Sequence, residues 1–112
     1  MGDVEVVDRG AREIVVFLTG DIDEGMGPAL RSAVDEVADL EGLSDLSHAV
    51  VDMHRVSSLG PEGIAFLREL ENRGRRAGFT VSFANMSGPA HRAVEAAGWA
   101  FQEASPPNPP YG

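Results

Sequence analysis

The chain has 112 residues, 43% of them hydrophobic, so it is long enough for one domain with a buried core and too short for two. Its formal net charge of -9 argues against a nucleic-acid partner, because phosphate binding requires a basic surface. Cysteine and lysine are both absent, which excludes thiol chemistry, disulfides and lysine Schiff bases.

The first residues lack the basic flank and apolar block of a secretion signal. No apolar run approaches the roughly 20 residues that a membrane span needs. We therefore expect a cytoplasmic protein that does not insert directly into a membrane.

Two apolar runs open the chain. Residues 4–7 are followed by turn residues and then by residues 13–20, which are rich in β-branched and aromatic side chains and apolar on both faces. They predict an antiparallel hairpin whose second strand is central and buried. The carboxylates that follow, including Asp21 and Asp23, lie within one short turn that cannot close an oxygen shell around a cation, so we interpret them as a solvated turn.

A helix is predicted from Gly27-Pro28, where proline suits the first turn. Its apolar positions repeat at helical spacing: Leu30, Ala33, Val34, Val37 and Leu40. Residues 41–48 are predicted to form a polar loop before a strand at residues 49–53. A polar turn should then lead into a second helix, which runs from about Glu62 to Ala77 and is capped by Gly78.

Alternation over residues 79–84 predicts a strand near a sheet edge, and Ser87 has the chemistry of an N-cap for a third helix ending at Gly98. Residues 99–101 would add a short strand or lid. The proline-dense residues 104–112 predict an extended tail behind a single domain of residues 1–103. The order of elements predicts an α/β fold, in which a mixed four- to five-stranded β-sheet packs against about three or four α-helices.

Taken in order, these motifs resemble the STAS domain family, whose best-known members are bacterial anti-sigma factor antagonists. Residues 20–23 are similar to the family's Gly-Glu-Leu-Asp step, and residues 50–53 to the end of its Val-Val-Leu-Asp-Leu strand. Residues 56–64 align without a gap on its apolar-x-x-apolar-Asp-Ser-Ser-Gly-Leu loop, and residues 92–98 resemble its Leu-x-x-x-Gly helix end. The resemblance extends to about Phe101 and implies the STAS fold.

The resemblance also implies a regulatory partner. In the family, the second serine of Asp-Ser-Ser-Gly is phosphorylated by a serine kinase that is also the anti-sigma factor, and phosphorylation breaks the complex. Here Gly60 stands at the aspartate position, Pro61 at the first serine and Glu62 at the phospho-acceptor, so that only Gly63 matches. A carboxylate cannot accept phosphate by hydroxyl chemistry, so switching at Glu62 should be absent.

We therefore predict partner binding at Gly60-Pro61-Glu62-Gly63, hereafter the 60–63 junction, which replaces the phosphorylation site. Its supporting surface would comprise Asp21, Asp23, Asp52, Ser57 and Ser58. Two interpretations of Glu62 stay open: a mimic of phosphoserine, with about one negative charge against about 1.5 to 2 for phosphate, or an acidic residue that stabilises a helix start. Phosphorylation of Ser57 or Ser58 instead is a further alternative.

Other chemistry has less support in the sequence. His48, Asp52 and His54 would share one face of a strand, as metal ligands can, but Asp52 recurs in the family as a structural residue, and we predict neither a metal nor a cofactor. No nucleophile with a neighbouring base is recognisable, so we expect no enzymatic activity.

The sequence thus predicts a non-enzymatic regulator of transcription that binds an anti-sigma factor, a serine kinase or a related regulator, as a monomer or weak homodimer. The alternative is a STAS accessory subunit of a membrane transporter, for which the absence of an acceptor serine is equally suitable. A small-ligand module is supported by the fold alone.

Overall fold

The computed structural model describes residues 2–98, apart from the side chains of Leu43 and Ser44. The elements of this part are β1 (Asp3–Gly10), β2 (Glu13–Ile22), a 3-10 turn (Glu24–Met26), α1 (Gly27–Ser44), β3 (His48–Leu59), α2 (Pro61–Ala77), β4 (Thr80–Ala84) and α3 (Gly88–Ala96). The predicted strand or lid at residues 99–101, the domain end at residue 103 and the tail lie outside the described residues.

The four strands form one mixed sheet in the order β1-β2-β3-β4. β1 pairs with β2 in antiparallel orientation, whereas β2 with β3 and β3 with β4 are parallel pairs. The predicted hairpin with a central second strand is therefore confirmed. Because right-handed crossovers join sequential parallel strands, α1 and α2 lie on the same face of the sheet, where they contact each other.

Alternate residues of the two central strands form the floor of the core. Ile14, Val16 and Leu18 of β2 and their counterparts on β3 are at most 1% exposed. Leu30 and Val37 of α1 and Leu67 and Leu70 of α2 cover them. Each fully buried side chain of this kind contributes about 1.5–3 kcal/mol relative to an exposed one, so this layer holds the helices on the sheet.

β3 is longer than the sequence predicts. The expected polar turn after Met53 is wrong, since the strand continues to Leu59 and pairs with the extended end of β2. Two register shifts between the strands, one of them next to Gly20 of β2, each accommodate an extra residue of β3, and the pairing continues to Leu59. Val56 and Leu59 are buried while the intervening serines are exposed, so the polar residues form the outer face of a strand.

α1 also exceeds its predicted length. Residues 41–44, predicted as the start of a polar loop, form its last turn, and the helix ends where Asp45 adopts a left-handed conformation with φ 52°. A glycine costs a helix only about 1 kcal/mol relative to alanine, so Gly42 does not stop it. The loop is therefore confined to the residues between Ser44 and His48.

The predicted ends of the other two helices are confirmed. Gly78 and Gly98 follow α2 and α3 in left-handed conformations, with φ 96° and 71°. The Ser87 hydroxyl accepts a hydrogen bond of 3.2 Å from the Ala90 N–H and so caps α3. Over residues 2–98, no helix is long and apolar enough to cross a membrane.

Candidate functional site

The 60–63 junction is the point at which β3 passes into α2. Gly60 is the N-cap residue, with an extended backbone, and its N–H donates a 2.8 Å hydrogen bond to the Ile22 carbonyl at the end of β2. Its own carbonyl accepts from the Ile64 N–H at 3.1 Å. Pro61 and Glu62 occupy the first turn and are exposed. The junction therefore presents one carboxylate at the positive end of the helix dipole.

Gly63 is the only buried member of the junction. A Cβ built on it would lie 2.3 Å from Leu59 Cδ1 and 2.9 Å from Ile22 Cγ2, closer than packed atoms tolerate. The ends of β2 and β3 therefore pack directly against the backbone of α2. This close packing gives Gly63 a steric role in setting where the helix begins.

Three of the predicted supporting residues converge on the junction. Asp21 and Ser58 are register partners on β2 and β3, and the Ser58 hydroxyl donates a 3.0 Å hydrogen bond to Asp21 Oδ1. This hydrogen bond lowers the pKa of Asp21 below its ordinary value because it stabilises the ionised carboxylate. Asp23 caps the 3-10 turn by accepting from the Gly25 N–H at 3.0 Å, and its Cα lies close to Gly60.

Asp52 belongs to a different polar cluster. One of its oxygens lies 2.5 Å from the His54 ring Nδ1 and accepts from the His54 N–H at 3.1 Å, and the other accepts from the Asn85 amide at 3.1 Å. Burial raises the pKa of Asp52, but these hydrogen bonds outweigh it and the net shift is downward. The cluster links β3 to the loop that leads into α3, so the hydrogen bonds of Asp52 join parts of the scaffold.

Ser57 is exposed on β3, where it is separated from the junction by Ser58 and Leu59.

His48, Asp52 and His54, the potential metal ligands, do not come together as one group. The His48 ring is 2.6 Å from the Ser82 hydroxyl, while His54 pairs with Asp52. No group of three or more possible ligands that could hold a metal occurs among the side chains described. The sequence alone could not assign Asn85 or Ser82 to these clusters, since each bond joins residues more than 30 positions apart.

Two grooves flank the junction, and sequence reasoning missed both because each is formed by two helices. The α1–α2 groove has a floor that includes Leu30 and Phe66 and a rim that carries Arg31, Glu62 and Glu69. The α2–α3 groove runs along the opposite side of α2 and begins at Gly60 and Pro61. The junction is thus a ridge with an exposed carboxylate between two largely apolar depressions, an arrangement suited to contact with another macromolecule.

Asp52 and His54 form one of the carboxylate–histidine pairs of residues 2–98; a second joins Glu13 to His48, whose other ring nitrogen lies 2.6 Å from the Ser82 hydroxyl. The His54 ring hydrogen-bonds there to Asp52, and no hydroxyl of that region is bonded to its other nitrogen. The Asp52 carboxylate also accepts hydrogen bonds from the Asn85 side-chain amide and the His54 backbone N–H. The Asp52–His54 pair therefore joins β3 to the loop that leads into α3.

The chain is similar to known regulatory proteins. The family model described as Mlab, STAS domain matches residues 6–100. An anti-sigma factor antagonist from Mycobacterium paratuberculosis is 31% identical over 88% of this chain and 79% of that chain, with a TM-score of 0.65. The unphosphorylated form of the anti-sigma factor antagonist SpoIIAA is 12% identical over 85% of this chain and 80% of that one, with a TM-score of 0.72, a likeness of fold.

No curated protein sequence is significantly similar to this chain. The likeness to the 31% identical anti-sigma factor antagonist nevertheless supports a regulatory protein-binding role. The match to the family model covers most of the chain, and the mixed four-stranded sheet with its helices is the fold that the family resemblance implied. The chain therefore belongs to the STAS domain family.

Proposed function

We propose that this protein is a non-enzymatic, cytoplasmic regulator that binds an anti-sigma factor, a serine kinase or a related protein through the 60–63 junction. It would act as a monomer or weak homodimer, and its binding would not be switched by phosphorylation at position 62. The observation that carries the proposal is the exposed Glu62 carboxylate at the start of α2, at the position to which the family resemblance assigns the acceptor hydroxyl.

The surroundings of Glu62 support a binding role. The rim of the α1–α2 groove carries Glu62 and Glu69 on α2 and Arg31 on α1, above apolar side chains. A partner that places apolar residues in the groove and a basic group near Glu62 would match both features. An acidic surface also increases the rate of association with a basic partner, in agreement with the net charge of -9.

Phosphate transfer tests the missing switch. Wild-type protein and Glu62→Ser would be offered to candidate kinases with labelled ATP, together with Ser57→Ala and Ser58→Ala as controls for the neighbouring hydroxyls. We expect the wild type to stay unlabelled and to hold its partner with or without ATP, and Glu62→Ser to gain label and lose the partner. Label on the wild type would refute the proposal, and its loss in either alanine variant would identify the acceptor.

A Glu62→Gln variant separates the two interpretations of Glu62, since it keeps the shape and removes the charge. If the carboxylate mimics phosphoserine, the variant should bind the partner more tightly than the wild type does, whereas a carboxylate that pairs with a basic group of the partner should make the variant bind more weakly. If it only stabilises the start of α2, binding should stay unchanged and the free energy of unfolding should fall by about 0.3–1 kcal/mol.

The second candidate function is that of an accessory subunit of a membrane transporter. An exposed carboxylate in place of an acceptor hydroxyl suits a constant assembly contact as well as an unswitched regulator. The neighbouring genes would discriminate: a sigma-factor or kinase gene favours the regulator, and permease and ATPase genes favour the transporter subunit.

A further inference from the structure

The α1–α2 groove is a depression of about 520 Å³ whose lining comes from two helices alone. α1 and α2 each return from the carboxyl end of one parallel strand to the amino end of the next, so both helices begin at the same end of the sheet. Gly27 at the start of α1 and Pro61 at the start of α2 both line the groove. One end of the groove therefore adjoins the 60–63 junction.

Each wall of the groove is a stripe of residues at helical spacing. Gly27, Leu30 and Val34 line it from α1, and Ala65 and Phe66 line it from α2. Leu30 and Phe66 are each 4% exposed and form the floor. Gly27 and Ala65 are small, so they leave space above this floor for the apolar side chains of another molecule.

Arg31 and Glu62 place opposite charges on the two walls. The Arg31 side chain reaches back over the first turn of α1, where a Cβ built on Gly27 would lie 3.5 Å from Arg31 Nη1. Glu62 is in the first turn of α2. Neither charge has an ion pair or a side-chain hydrogen bond within residues 2–98, although both line the same groove.

Glu69, the third charged residue of the rim, already has two cationic neighbours in the chain. Its Oε2 lies 3.8 Å from Arg73 Nη2 and 3.9 Å from Arg76 Nη2. The groove thus offers a binding partner one carboxylate on α2 and one guanidinium on α1, both near the end at which the helices begin.

The shape of the groove favours a helix as its occupant. No strand edge lines it, so an extended peptide would find no ladder of backbone groups to join. The lining spans residues 27–34 and 61–69, about 10–12 Å at about 1.5 Å per residue. The anchors of an amphipathic helix at i, i+3, i+4 and i+7 cover the same length. A small ligand is usually enclosed over most of its surface, which a lining from only two helices does not provide.

We propose that the α1–α2 groove is the docking site for an amphipathic α-helix of the partner protein. The apolar stripe of that helix lies on Leu30 and Phe66, with a basic residue on the flank that faces Glu62 and an acidic residue on the flank that faces Arg31. This inference rests on the proposed function, in which a protein binds at the 60–63 junction, and adds the secondary structure and charge pattern of the segment that binds.

Synthetic helical peptides test the docking on the full chain without a kinase, ATP or a natural partner. The mixed peptide carries leucines at i, i+3, i+4 and i+7, lysines along one flank and glutamates along the other. A neutral peptide has glutamines on both flanks, and a polar peptide has serines in place of the leucines. In methyl NMR, the mixed peptide should shift the signals of Leu30 and Val34, and the polar peptide should shift neither. The mixed peptide should bind more tightly than the neutral one, by about two- to fivefold for each of its two ion pairs.

Charge reversal identifies the residues of the rim. Arg31→Glu or Glu62→Arg alone leaves two like charges on the walls and should weaken binding of the mixed peptide by about five- to tenfold. The double variant again has one charge of each sign, and the peptide then docks in the opposite direction, so its affinity should return to within about twofold of wild type. Arg55→Glu, the same change at an exposed arginine outside the groove, should have little effect.

A bulky side chain in the groove gives a second test. Ala65→Trp fills the groove and should abolish binding, whereas Ala29→Trp, at an exposed alanine of α1 that does not line it, should not. Circular dichroism verifies that each variant is folded. The proposal is overturned if the mixed peptide does not shift the groove signals, if the neutral peptide binds equally well, or if the double variant binds no better than the single ones.

Failure of the docking mode and failure of the regulatory function give different results. An anti-sigma factor or kinase that binds wild type and Arg31→Glu equally well would refute the docking mode alone. A chain that binds the mixed peptide as expected, but binds no anti-sigma factor or kinase, would refute the regulatory function and support the docking mode.

Discussion

Replacing Gly63 by alanine should have two opposing effects on the free energy of unfolding. Alanine is favoured over glycine within a helix by about 0.8–1.0 kcal/mol, which would stabilise α2. The added methyl group, however, would lie 2.3 Å from Leu59 Cδ1 and 2.9 Å from Ile22 Cγ2. Overpacking of this kind costs about 1–3 kcal/mol because buried neighbours must leave their preferred rotamers, so we expect a net loss of about 1 kcal/mol in the free energy of unfolding.

Gly42 provides the matched control for helix propensity. It lies in α1, is exposed, and a Cβ built on it meets no atom within 4 Å. Gly42→Ala should therefore stabilise the protein by up to about 1 kcal/mol, and the difference between the two variants, about 1–3 kcal/mol, measures the steric effect at Gly63.

Urea unfolding of both variants, followed by circular dichroism, gives these free energies. A double-mutant cycle identifies the clashing atom, because Leu59→Ala removes Cδ1 and should make Gly63→Ala much less costly in that background. The reasoning is refuted if Gly63→Ala stabilises the protein as much as Gly42→Ala does, or if its effect is the same with and without the Leu59 side chain.

Three further predictions concern hydrogen bonds around the site. Ser58→Ala removes the bond that lowers the pKa of Asp21, so that pKa should rise towards its ordinary value in an NMR titration; an unchanged pKa would contradict this assignment. Asp52 has a lowered pKa in the folded state, so its contribution to stability is present above the unfolded value of about 3.9 and is lost as the pH falls through the folded value. Asp52→Asn should therefore destabilise the protein by about 1.5–3 kcal/mol near neutral pH, and its deficit relative to wild type should shrink in acid; a deficit independent of pH would argue against the ionised network. Ser87→Ala should lower the free energy of unfolding by about 0.5–2 kcal/mol through loss of the α3 cap, whereas Ser57→Ala, at an exposed serine outside a cap, should have little effect.

The elements that were predicted correctly are those specified by local chemistry. A helical repeat of apolar residues, a proline in the first turn and a left-handed glycine after the last turn act over three or four residues, and they located α2 and α3 closely. The 60–63 junction was found in the same way, because Pro61 marks the start of a helix after an apolar strand.

The lengths of β3 and α1 were not predicted because each depends on contacts made elsewhere. The polar residues after Met53 resemble a turn when considered alone, yet β2 extends alongside them and offers hydrogen-bond partners as far as Ile22. Once that partner strand is present, continuing the ladder satisfies backbone groups that a turn would leave to water.

The sequence by itself determined the α/β class, the order of the elements and the presence of a carboxylate at position 62. The tertiary structure decided what surrounds that carboxylate: the packing of β2 and β3 against Gly63, the hydrogen bond between Asp21 and Ser58, and the two grooves along α2. The physical reason is the sequence distance over which each interaction acts. Backbone preferences and apolar periodicity act within a few residues, whereas a groove or a hydrogen bond between strands exists only after distant segments have packed together.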